Sequence, residues 1–297
     1  MRALVTGGSG FVGSWLRAHL EEMGDEVLSP GDELDVTEPA SVERALTGAC
    51  PDAVYHLAGL AHVGRSWEEP LRFFETNAVG TLHVLDAARR CRSVPRVLLV
   101  SSAEVYGAVQ PEELPLTEER PMRPVTPYAA SKAAAEMVGM QAHLGWGLPV
   151  IRARPFNHLG PGQAPTFAVP ALAGRVLSAL RTGSGVLRTG NLSARRDFTD
   201  VRDVVRAYRL LVARGEAGAA YNVCSGRDVS MEQVVNHLMA ISGAELRMEP
   251  DPELMRLVDV PALRGDASRL EAETGWSPEV PLEESLTAVM RSLTDPS

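Results

Sequence analysis

Short apolar runs alternate with longer stretches of helical periodicity through the first half of the chain. Residues 3–5, 26–28, 53–57, 96–101 and 149–153 are apolar nearly throughout and bounded by glycine, proline or charge, as in strands covered on both faces. Between them, residues 13–23, 41–47, 75–91 and 128–144 place apolar side chains at helical spacing. Strand and helix in alternation predict an α/β protein built on a doubly wound parallel sheet with right-handed crossovers. After Pro155 the rhythm changes. Gly160-Pro161-Gly162 and Pro165 punctuate a loop, residues 167–180 return to a helical pattern, and mixed short elements follow. The expected organisation is a sheet domain of residues 1–155 plus roughly 197–223, and a smaller mixed α/β lobe of residues 156–196 and 224–297.

Composition narrows the function classes. The chain has 297 residues, 45% of them hydrophobic and 23% charged, which is globular rather than disordered or fibrous. No apolar run approaches the ~18 residues of a membrane helix, so no membrane association is expected. The opening apolar residues stop at Gly7, unlike a secretory signal. Cys50, Cys91 and Cys224 are odd in number and lack metal-ligand spacing, so a cytoplasmic protein without metal or disulfides is expected. A net charge of −9 argues against nucleic acid as a partner. Any phosphate-bearing ligand is then held by local dipoles or chosen arginines. Of the 29 basic residues 28 are arginine, and the one lysine is Lys132.

Gly7-Gly8-Ser9-Gly10-Phe11-Val12-Gly13 joins the first predicted strand to the first helix and satisfies G-x-G-x-x-G through Gly8, Gly10 and Gly13. In that position glycines let the backbone approach a pyrophosphate whose charge meets the helix N-terminus; the plain alternative is a tight strand–helix turn. The end of the second strand, where an acid selects NAD and an arginine NADP, falls at Ser29-Pro30-Gly31 with Asp32 beyond. Acids crowd this segment and no arginine is near in sequence, so of NAD(H) and NADP(H) the former is favoured. Asp35 and Val36 either contact the adenine edge or, through Asp35 or Thr37, cap the next helix.

Tyr128 and Lys132 stand at i and i+4 of one predicted helix, on the same face. A cation beside a phenol stabilises the phenolate and moves its pKa toward the working range, and the ammonium can also reach a nicotinamide ribose. Ser102, at the end of the fourth predicted strand, points into the ligand crevice of such a sheet and can hold a substrate oxygen beside Tyr128.

With these residues in view, the stretch 6–13, His56-Leu57-Ala58-Gly59, Asn77, Ser102 and the Tyr128/Lys132 pair resemble the extended short-chain dehydrogenase/reductases over nearly the whole chain. The resemblance implies a Rossmann domain with a C-terminal substrate lobe and an NAD(P)-dependent oxidoreductase acting on a nucleotide-diphosphate sugar. It also implies a homodimer formed through two helices per subunit, here 75–91 and 128–144, and cofactor contacts from Leu57, Ala58, Gly59 and Asn77. The stretches 156–163, 195–203 and 221–226 resemble the branch of GDP-6-deoxy-4-keto-D-mannose reductases, relatives of the GDP-mannose 4,6-dehydratases. That branch implies that Arg196 and Arg256 bind the diphosphate and that Asp259 meets a sugar hydroxyl. His62, Asn157 and Asn191 complete the candidate substrate-binding set, while His158 reads as a structural histidine and Arg195 as solvated.

The implied reaction is NAD(P)H-dependent reduction of GDP-4-keto-6-deoxy-D-mannose to GDP-D-rhamnose. A dehydratase needs an added acid and base just after the catalytic hydroxyl. Ala103 cannot be the acid, but Glu104 stands where the base would and joins Ser102, Tyr128 and Lys132 as a catalytic candidate. GDP-mannose 4,6-dehydratase, a 4-epimerase and a non-enzymatic dinucleotide sensor are the alternatives.

Overall fold

The computed structural model describes residues 1–255, 258 and 260–294; Arg256 and Asp259 lie outside the described residues. Strands β1 (Arg2–Thr6), β2 (Glu26–Leu28), β3 (Ala53–His56), β4 (Arg96–Val100) and β5 (Val150–Pro155) follow the five expected runs closely. They are connected by α1 (Phe11–Glu22), α2 (Pro39–Ala49), α3 (Pro70–Phe74), α4 (Gly80–Ala88) and α5 (Pro127–Trp146). A π turn at Glu75–Val79 fuses α3 to α4, so this rod starts earlier than the periodicity suggested. The chain continues through β6 (Asn157–Leu159), α6 (Ala168–Thr182), β7 (Val186–Thr189), β8 (Arg195–Asp200), α7 (Val201–Arg214) and β9 (Ala220–Val223). It ends with β10 (Asp228–Ser230), α8 (Met231–Ser242), β11 (Arg247–Pro250), β12 (Ala262–Leu263), α9 (Ser268–Thr274) and α10 (Leu282–Thr294).

The main sheet is parallel with order β2-β1-β3-β4-β5-β9. Alternate residues of each strand enter opposite cores. Ala3, Val5, Tyr55 and Leu98 pack with Leu16 of α1 and Val204 of α7. Leu4, Val54, Val97 and Leu99 pack with Val42 of α2, Val84 of α4 and Ala142 of α5. Period-two alternation explains why these strands carry no polar face. Each fully buried Leu or Val contributes about 1.5–3 kcal/mol.

In the second region β8 lies between β10, antiparallel, and β12, parallel, and also pairs in parallel with β6. Helices α6, α8 and α10 close a separate core around Leu172, Val176, Val234, Leu238 and Leu286. The packing departs from the expected division, since Phe156, Cys224, Val260 and Leu263 also lie in the first core. Residues 267–276 return to the first core, where Trp276 is buried and its indole donates to the Asp203 carbonyl at 2.9 Å. Burying a large aromatic against α7 outweighs proximity in sequence. Among the described residues no helix is long and apolar enough to cross a membrane.

Candidate active site

The β1–α1 loop is built for close approach. Gly7 has φ +70°, and a Cβ there would lie 2.7 Å from the Ala58 nitrogen. A Cβ on Gly13 would lie 2.2 Å from the Gly7 carbonyl oxygen, so the start of α1 presses on the loop and tolerates only glycine. Gly10 caps α1 without a side chain, and no acid stands in the first turn. The positive end of α1, with Phe11 and Val12 at its start, therefore remains open to an anion, and the loop fits a dinucleotide pyrophosphate.

Beneath the loop runs a buried chain of hydrogen bonds whose direction is determined. The Thr81 hydroxyl donates its only proton to the Asn77 carbonyl at 2.6 Å, so at 3.0 Å it accepts from His56 Nε2. His56 is neutral, held by burial and by the Lys132 charge down to about 3, so its Nδ1 accepts from Thr6 Oγ1 at 2.8 Å. Thr6 Oγ1 in turn accepts the Ala58 N–H at 3.2 Å. This chain fixes the segment Leu57–Gly59. Asn77, on the π turn, secures the same segment from the other side. Its amide oxygen accepts from the Leu60 N–H at 2.8 Å, and its amide nitrogen donates to Ser131 Oγ on α5 at 2.8 Å.

Thr126 caps α5 by accepting from the Ala129 N–H at 3.1 Å, and Pro127 begins the helix, which places Tyr128 in its first turn. Phe73 meets the Tyr128 ring edge-on at 6.4 Å. Ser102, at the C-terminal end of β4, accepts the Glu104 N–H at 3.2 Å and stands close enough to the Tyr128 phenol to affect its proton affinity. Lys132 Nζ donates to the Val100 carbonyl at 2.9 Å, and two of its three protons remain for other partners. A Cβ on Gly59 would sit 3.3 Å from that ammonium, so glycine leaves it uncovered. Ser102, Tyr128, Lys132, Gly59 and Asn77 thus meet at one edge of the glycine loop.

The electrostatics differ from the expectation. Burial pushes the Tyr128 phenol up to about 12, with Glu104 adding to the rise and Ser102 opposing it. Burial lowers Lys132 to about 8, opposed by Glu136 one turn along. Desolvation, invisible to residue spacing, overrides the lowering expected from a nearby cation. At neutral pH the phenol is a firmly protonated acid.

Asp35 caps no helix: one of its carboxylate oxygens accepts from both the N–H and the hydroxyl of Thr37, while Glu38 and Pro39 begin α2. Val36 is buried under Gly80. His158 stacks on Phe11, ring centroids 6.2 Å apart, and its Nδ1 bonds the Phe156 carbonyl, a structural arrangement. Trp15 donates to the Pro161 carbonyl at 3.0 Å, so the start of α1 and the entry to the second lobe touch at two points.

In the second lobe a cavity of about 210 Å³ is lined by Asn157, Asn191, Arg196 and Phe198, among others. Asn191 accepts from the Ser193 N–H, and Arg196 is buried, donating to the Val260 carbonyl at 2.7 Å. Arg195 is not simply solvated but forms an ion pair with Asp228. Exposed His62 lies 6.5 Å from the Phe167 ring at the head of α6. Sequence reasoning missed Arg175, which lines the cavity with Ala168, Ala171 and Leu172. Its signal was present: those four positions share one face of α6 by i, i+3, i+4, i+7 spacing, and only one of them is charged.

A family model described as GDP-mannose 4,6 dehydratase matches residues 32–289. The GDP-6-deoxy-D-mannose reductase of Pseudomonas aeruginosa is 40% identical over 97% of this chain and 96% of its own. The solved structure of RMD from Pseudomonas aeruginosa complexed with NADPH has a TM-score of 0.90 at 38% identity, covering 98% of both chains. UDP-glucose 4-epimerase of Thermus thermophilus, in complex with NAD, has a TM-score of 0.90 at 30% identity, covering 100% of both.

Proposed function

The chain belongs to the GDP-mannose 4,6-dehydratase family of NAD(P)-dependent extended short-chain dehydrogenase/reductases, and from that premise we propose that it reduces the C4 ketone of a GDP-linked 4-keto-6-deoxy sugar, GDP-4-keto-6-deoxy-D-mannose, to GDP-D-rhamnose. The observation that supports the direction is the buried, protonated Tyr128 phenol close to Ser102. An alkoxide is a far stronger base than a phenolate, so proton transfer from Tyr128 to a reduced ketone runs downhill.

In this reading Ser102 holds the ketone oxygen and Tyr128 gives it a proton as the carbon–oxygen double bond becomes a single bond. Lys132 holds positive charge beside the phenolate that forms. When bound, the nicotinamide supplies the hydride that C4 receives. Arg196 and Arg175, with Asn157 and Asn191, line the second-lobe cavity and suit a nucleotide diphosphate, which a chain of net charge −9 must hold with local cations. Ala103, beside Ser102, offers no acid for expelling a C6 hydroxyl, which favours reduction over dehydration; Glu104, half-buried beside it, has no proton to move in a simple reduction.

The test offers the protein GDP-mannose alone and then the 4-keto-6-deoxy sugar with reduced nicotinamide nucleotide. Oxidation of the nucleotide only with the keto sugar is expected. Keto sugar formed from GDP-mannose alone would make the enzyme a dehydratase.

The subunit arrangement is part of the same proposal. Val79, Leu82, Met137 and Leu144 on the α4 and α5 rods are exposed, Leu144 by 75%, and form the face through which two subunits pair. Sedimentation at micromolar concentration is expected to show a dimer, and Leu82→Glu with Met137→Glu a monomer. Free cysteines, two of three buried, accord with a reducing cytoplasm.

A further inference from the structure

Outside the glycine loop, two polar side chains crowd its second glycine. A Cβ on Gly8 would lie 2.0 Å from Ser29 Oγ and 3.1 Å from Arg17 Cδ. Ser29 follows β2 directly, at the strand end that faces the adenosine ribose in a sheet of this kind. Arg17 reaches the same place from the second turn of α1. Both Arg17 Nε and Ser29 Oγ are shielded from water and have no hydrogen-bond partner. Buried donors without acceptors are costly, and a guanidinium more than a hydroxyl. Among the described residues no carboxylate pairs with Arg17, although the chain carries 38 acidic residues and most of its buried arginines have found partners.

Two positions expected to favour an unphosphorylated ribose, Gly31 and Asp35, do not serve it. Gly31 has φ +59° and opens a short 3-10 turn, so it offers no carboxylate. Asp35 is engaged with Thr37. An arginine Nε and a hydroxyl, both lacking acceptors and both against the loop that would receive the pyrophosphate, call for an anion with several acceptor oxygens one ribose away. We propose that Arg17 and Ser29 form the recognition site for the 2′-phosphate of the cofactor and make this enzyme selective for NADP(H) over NAD(H). The inference rests on the dinucleotide-binding reading of the glycine loop. Sequence distance hid it: Arg17 and Ser29 are joined only when α1 and β2 fold back on β1.

Calorimetric titration of the native protein with NADPH, NADH and adenosine 2′,5′-bisphosphate tests the assignment without turnover. NADPH should bind about 10- to 100-fold tighter than NADH, the range of a charge-assisted contact. The bisphosphate should compete with NADPH. Arg17→Gln should remove most of that difference by weakening NADPH while leaving NADH within about twofold, and Ser29→Ala should give a smaller loss of the same kind. Equal native affinities would overturn the proposal, as would an Arg17→Gln variant weakened equally toward both nucleotides. Native protein that binds neither nucleotide would overturn the dinucleotide reading beneath it.

Discussion

Replacing Tyr128 with phenylalanine is expected to leave nucleotide binding intact and slow ketone reduction by about 10²- to 10⁴-fold, the usual contribution of a positioned acid. The variant keeps the aromatic contact with Phe73 and the α5 cap, because only the phenolic oxygen is removed. Ser102 retains its bond from the Glu104 N–H, so the ketone is still held but receives no proton. Stopped-flow oxidation of the reduced nicotinamide, beside a binding titration, separates the two effects. The pH dependence carries independent information. With the phenol protonated up to about 12 and Lys132 lowered to about 8, the alkaline limb of kcat/KM in the native enzyme belongs to the lysine. As pH rises through about 8 the ammonium loses its proton, the phenolate that must form loses its counter-charge, and kcat/KM falls. A flat profile to pH 10 would remove Lys132 from the mechanism.

The second large effect is on stability. Glu136 on α5 is fully buried and receives Arg154 through Nε at 2.9 Å and Nη2 at 2.8 Å. Arg152 stands 3.6 Å from the same carboxylate. Arg154 also donates to Tyr106 Oη at 3.0 Å, and Tyr106 donates to Asn222 Oδ1 at 2.7 Å, so one network spans α5, β5 and β9. Glu136→Leu strands two guanidinium charges away from water. It should cost about 3–5 kcal/mol and lower Tm by on the order of 10 °C. Adding Arg154→Met should recover part of the loss, because an apolar pair tolerates burial where an unpaired charge does not. Thermal unfolding of the two variants is the check, and equal melting temperatures for Glu136→Leu and native protein would refute it.

What could be read from the sequence was local or periodic. The five strands announced themselves by apolar runs, the glycine loop by its spacing and position, and the Tyr128/Lys132 pair by i, i+4 geometry. What could not be read depended on distant pieces meeting. Strand β9 has only four residues and no periodic context, and it becomes a strand because β5 offers it an edge. Asp228 neutralises Arg195 through the pairing of β10 with β8. Tyr128 looked like a phenol softened by a neighbouring cation, but its proton affinity follows from burial, which no spacing encodes. His56 was visible as part of a motif, whereas its one-way chain through Thr6 and Thr81 needs three elements in register.

The π turn gives the α3–α4 rod two faces with different duties. Asn77 points inward, holding the Leu60 segment beside Lys132, while Val79, two residues on, lies 43% exposed on the proposed subunit face. The widened helical register lets one short stretch serve both sides. In the proposed dimer a substitution in this stretch bears on subunit pairing and nucleotide affinity together. Variants in residues 75–79 should be compared over a dilution series, because a defect measured at one protein concentration would confound a lost neighbour with a loosened loop.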